Sequence, residues 1–79
     1  NPSTTITFQL NRRAHARLFI YDVNGQRVST LVDADLPAGA HTVAWDGTDT
    51  RGGRVASGVY YYRLDAGSDT ATKQMVLLK

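Results

Sequence analysis

The chain has 79 residues, a net charge of +2 and no cysteine. That length holds one domain with one core, and without cysteines neither a disulfide framework nor a Cys-based zinc site can staple it. The charge is too small to argue for nucleic acid, and no apolar run has the length of a signal peptide or membrane span. All seven acids are Asp, and the bases are seven Arg against Lys73 and Lys79. Glu and most Lys, the helix-favouring charges, are missing, while nine Thr and seven Gly favour strands joined by turns.

Thr4 to Leu10 alternates, with Ile6, Phe8 and Leu10 on one face and Thr5, Thr7 and Gln9 on the other. After the polar link Asn11-Arg12-Arg13, Ala14 to Tyr21 sets Ala16, Leu18 and Ile20 against Arg17, Phe19 and Tyr21. Asp22-Val23-Asn24-Gly25 is the strongest local signal, because Asn-Gly suits the positive φ angles of a type I′ hairpin turn. It predicts a partner strand from Gln26 to about Val32, where the spacing of Val28 and Leu31 implies a bulge or an early end.

Asp33 to Gly39 reads as a loop built on Leu36-Pro37-Ala38-Gly39, and His41 to Trp45 as a strand. Asp46 to Gly58 is the longest irregular stretch, with Val55 as a candidate short edge strand. Val59 to Asp65 is a strand with Tyr60, Tyr62 and Leu64 on one face. Ala66-Gly67-Ser68-Asp69 turns the chain into a last strand, Thr70 to Leu78, in which Met75 and Leu77 share a face. Turns at intervals of about 8–12 residues mark an all-β chain. The expected fold is an immunoglobulin-like two-sheet β-sandwich of about seven short antiparallel strands, one domain over residues 1–79. Its core comprises Ile6, Phe8, Leu10, Leu18, Ile20, Val28, Leu31, Val43, Trp45, Tyr60, Tyr62, Leu64, Met75 and Leu77. A central Trp and a Tyr opening a late strand match the buried Trp and tyrosine corner of such domains.

No enzyme and no cofactor are expected. His15 and His41 fall on different strands, Ser3, Ser29, Ser57 and Ser68 lie in no nucleophile-elbow context, and so small a sandwich has no deep cleft. Asp33 with Asp35, or Asp46 with Asp49, are the paired carboxylates. Of these Asp46 and Asp49 are weak candidates for calcium, which wants six to eight oxygens; the plainer role is to accept loop N–H groups. Arg12, Arg13, Arg17 and Arg27 are candidates for a basic patch near the first hairpin; the plainer reading is a solvated sheet face, where outward Arg and aromatic residues stabilise cross-strand pairs. Arg17, Phe19, Tyr21 and Tyr61, on a sheet face with no partner sheet, are the best candidates for a contact surface. The run Met75-Val76-Leu77-Leu78 closed by Lys79 puts the most apolar segment at the chain end, where a strand can be read by strand addition.

Six phrases occur in order: Asn1-Pro2-Ser3-Thr4-Thr5-Ile6, Tyr21-Asp22-Val23-Asn24-Gly25, Leu36-Pro37-Ala38-Gly39, Trp45-Asp46-Gly47, Ser57-Gly58-Val59-Tyr60-Tyr61-Tyr62 and Lys73-Gln74-Met75-Val76-Leu77-Leu78-Lys79. Together they resemble the type A C-terminal sorting domains of the bacterial type IX secretion system. The pattern is also similar to the immunoglobulin-like domain of the flagellar hook-capping protein. The first resemblance implies an address: a type IX translocon reads the folded domain, and a sortase-like protease removes it and joins the upstream cargo to a surface lipid. Lys73, Met75, Val76, Leu77, Leu78 and Lys79 would be the recognition residues. The protein would be exported through the periplasm to the cell surface, without inserting in the membrane. A signal-less chain starting at Asn1-Pro2 would then be a piece of a longer one. Members of that family carry a further Asn-Pro phrase upstream, so the cleavage site is expected outside this sequence. The alternative is a passive immunoglobulin-like spacer or carbohydrate-binding accessory module, with Phe19, Tyr21 and Tyr61 as the glycan platform.

Overall fold

The computed structural model describes residues 3–78. It contains six strands: β1 (Thr4–Leu10), β2 (Ala14–Tyr21), β3 (Arg27–Leu36), β4 (Gly39–Trp45), β5 (Gly58–Ala66) and β6 (Asp69–Leu77). All pairings are antiparallel, in a two-stranded sheet β1-β4 and a four-stranded sheet β3-β2-β5-β6. The all-β, two-sheet reading is therefore correct. β1 and β2 carry their expected bounds, because clean alternation and a short polar link leave little room for another register.

Three local expectations need correction. The bulge reading of Val28 and Leu31 holds, but the strand does not end there. Register shifts opposite Leu18/Phe19 and Ile20/Tyr21 let β3 run on to Leu36, so only Pro37 and Ala38 remain of the expected Asp33–Gly39 loop. The side chains of Asp33 and Asp35, which favour turns in isolation, are held across the ladder by His15. Second, the Asn24-Gly25 turn is not type I′. Gly25 alone takes a positive φ, of 81°, and its N–H donates to the Asp22 carbonyl at 3.0 Å. This is a turn completed by one left-handed glycine, and the Asp22 carboxylate fixes it by accepting the N–H groups of Asn24 and Gln26. Third, Val55 belongs to no strand; the loop instead carries a bridge between Thr48 and Arg54. Gly67-Ser68 makes a two-residue hairpin, with Gly67 at φ 61° as its first central position.

Ile6, Phe8, Leu10, Ala16, Leu18, Ile20, Trp45, Tyr60, Leu64, Ala66 and Leu77 are buried between the sheets. Val28, Leu31, Val43, Tyr62 and Met75 pack against them, so every expected core residue takes part. Ala66 enters because β5 runs one residue past the expected end at Asp65. The Trp45 ring meets Tyr60 edge-on at 5.0 Å and donates its Nε1–H to the Thr48 carbonyl at 2.9 Å. The Tyr60 hydroxyl donates to the Ala56 carbonyl at 2.7 Å, closing a tyrosine corner at the start of β5. Two buried polar handles are thus satisfied on the loop that joins the sheets, fixing its path.

Candidate functional site

The outward face of the large sheet gathers the expected surface residues. Strand pairing places Tyr21 beside Tyr61 and Phe19 beside Arg63. Phe19 and Tyr21 meet edge-to-face at 6.2 Å with their rings inclined by 61°, and the Arg27 guanidinium sits 5.2 Å from the Phe19 centroid. Arg17 lies on the same face, with its Nε 3.4 Å from Asp33. Arg12 and Arg13 are elsewhere, in the β1–β2 connection at one end of the sandwich. The aromatic side chains come together, but with inclined rings and a cation over one of them they do not form a flat platform for a sugar ring.

The last strand is an edge of the large sheet, paired only with β5. Its alternation decides which side chains are available. Leu77 is 1% exposed and Met75 is half-buried, whereas Val76 and Leu78 are 51% and 74% exposed; Lys73 is exposed as well, although it shares the inner side of the strand with Met75 and Leu77. Lys79 lies outside the described residues.

In the Asp46–Gly58 stretch, both carboxylates hold the loop itself. Asp46 Oδ1 accepts from the Thr48 hydroxyl at 2.6 Å and the Thr48 N–H at 3.1 Å, and these bonds hold its pKa below the usual carboxylate range. Asp49 Oδ1 accepts the N–H groups of Arg51 and Gly53, each at 2.9 Å. Among the described residues no group of three or more His, Cys, Asp or Glu side chains is placed to hold a metal ion.

One cluster was not legible as such in the sequence. His15 on β2 reaches two carboxylates of β3, with Nε2 2.6 Å from Asp33 Oδ1 and Nδ1 2.7 Å from Asp35 Oδ1. A ring that donates from both nitrogens is an imidazolium, and the two bonds raise the His15 pKa. Asp33 moves the opposite way, lowered first by His15 and then by Arg17. The signal was present in Asp33 and Asp35 two residues apart, but it needed β3 to extend past its second bulge. His41 is structural: it donates to the Pro37 carbonyl at 2.8 Å and stacks on Phe8 at 5.4 Å.

The buried Trp, the corner tyrosine and the unequal sheets define an immunoglobulin-like unit, and comparison with known proteins places it. The family described as the FlgD Ig-like domain matches residues 1–70. The chain belongs to the FlgD Ig-like domain family. Three solved FlgD structures resemble it. That from Xanthomonas campestris, studied for the hook capping essential for flagellar assembly, shares 27% identity over 96% of this chain and 56% of that one, with a TM-score of 0.74. FlgD from P. aeruginosa shares 21% over 95% and 59%, with a TM-score of 0.76. Truncated FlgD from Helicobacter pylori strain 26695 shares 17% over 98% and 61%, with a TM-score of 0.75. The chain thus spans less than two thirds of each of these structures. No match is found among curated protein sequences.

These findings overturn the type IX reading. The matched family and the three structures are FlgD, and nothing in the comparisons points to a sorting domain. The translocon, the sortase-like protease and the sorting address fall with it. The reason lies in what the shared phrases encode. Asn24-Gly25 and Pro37-Ala38 are turns, Trp45 and Tyr60 are core and corner, and Gly39, Gly47 and Gly58 take positive φ. Such residues build the sandwich and carry no information on which partner reads it. The segment chosen for sorting, Lys73 to Lys79, lies beyond the matched residues.

Proposed function

We propose that residues 1–79 act as one non-catalytic immunoglobulin-like structural module, of the kind used in flagellar hook capping. The family match over residues 1–70 carries this reading. The surface supports it too. Each cluster of polar side chains described above serves the fold: the Asp46–Gly58 carboxylates bind their own loop and the His15 cluster ties two strands together. Between the two passive roles expected from sequence, a spacer fits better than a carbohydrate-binding accessory, because Phe19, Tyr21 and Arg27 are edge-packed instead of coplanar.

The test is a domain exchange. The Ig-like domain of a hook-capping protein is replaced by this chain, and hooks are counted by electron microscopy alongside swimming. Completed hooks support the reading. A chimera that accumulates to normal levels, is folded, and yields no hooks overturns it.

A further inference from the structure

We propose that the free edge of β1 and the groove beside it take an extended acidic peptide from a partner, added as a further strand of the small sheet. Two strands face four, so the small sheet cannot cover the whole inner face of the large one. The uncovered part can be located. Pairing puts Ala71, Lys73, Met75 and Leu77 on the core side of β6, opposite Leu64, Tyr62, Tyr60 and Gly58. Leu77 is buried and lies under Gly47, whereas Ala71 and Lys73 are exposed although they face inward. The Asp46–Gly58 loop therefore closes one end, and the other stays open.

At that open end is a groove of about 340 Å³ between the β1–β2 connection and the β5–β6 hairpin. Its floor includes Leu10, Leu64, Ala66 and Ala71, and the end of β1 forms one wall. β1 is hydrogen-bonded to β4 on one side only, so its other edge offers a row of main-chain donors and acceptors. The edges of the large sheet are guarded by charge: Arg27, Asp33 and Asp35 on β3, Asp69 and Lys73 on β6. β1 carries no charge at all. β4 is equally bare apart from His41, but the groove lies beside β1.

Charge selects the occupant. Arg12 and Arg13 line the groove and meet no carboxylate among the described residues, whereas Arg17 and Arg63 each do. Asp69 is the one acid in the lining. An extended segment with alternate apolar side chains on the floor and carboxylates toward Arg12 and Arg13 satisfies all three features.

The probe is a blocked peptide of about six residues, a usual strand length, alternating aspartate with valine; its lysine–valine counterpart is the control. Each is titrated into the whole chain and followed by backbone amide shifts. The acidic peptide is expected to move the amides of β1 and of Thr70–Ala71, and to bind at least about tenfold tighter than the basic one, since both arginines are matched. Ala71→Trp, which fills the groove, should abolish the shifts, and the double variant Arg12→Glu/Arg13→Glu should reverse the preference; circular dichroism confirms that both remain folded. Equal binding of the two peptides, no shifts, or shifts confined to the Phe19–Tyr61 face overturns the proposal. The outcome is independent of the hook-capping exchange.

Discussion

His15 shows how one side chain can reset its surroundings. Its folded-state pKa is raised above the ordinary 6.5, so it adds stability that is whole below that value and is lost as pH climbs through the raised one. Asp33 is lowered from 3.8, so its contribution is present above that value and is lost as pH falls through the depressed one. The cluster is therefore tightest between 3.8 and 6.5. His15→Gln should flatten the alkaline side of this profile, read as melting temperature against pH between about 6 and 8, around the ordinary histidine pKa. Tyr60 gives a second residue-scale test. Burial, then the Asp22 charge, raises its pKa, so the hydroxyl stays protonated and donating at neutral pH. Tyr60→Phe leaves the ring on Trp45 but removes the bond to Ala56, at a cost of about 1 kcal/mol. In a domain this small that lowers the melting temperature by roughly 4–8 °C, measurable by calorimetry.

Among the elements, β6 does two things at once. Leu77 anchors it under the Asp46–Gly58 loop: a side chain added at Gly47 would stand 3.1 Å from Leu77 Cδ2. Leu77→Ala should therefore destabilise by about 2–5 kcal/mol in urea unfolding, a large share of what so small a domain holds. Val76→Thr, one residue away on the exposed face, should change stability by no more than about 0.5 kcal/mol. If the two substitutions cost the same, β6 is not seated as described. The alternation of β6 was legible in its sequence, as Met75 and Leu77 on one face. The reach of β3 was not, because past its two bulges it pairs with Ala14 to Leu18 at the far end of the hairpin, where His15 meets Asp35 twenty residues away.

Across the whole molecule, stability is shared by one core in which the only tryptophan is 1% exposed. Trp45 fluorescence and far-ultraviolet circular dichroism should report the same cooperative denaturant transition, and separate midpoints would show that the two sheets come apart independently. The amino-acid sequence by itself determined the all-β class, the inward residues and the places where the chain turns. Those properties are local: side chains alternate along an extended strand, and glycine supplies the backbone angles of Gly25, Gly47 and Gly67. Only the tertiary structure decided that two strands face four, that His15 joins two aspartates, and that one end of the core lies open beside an uncharged edge. Those features join residues far apart in the chain, and pairing choices of similar local merit are settled only when both sheets close on a common core.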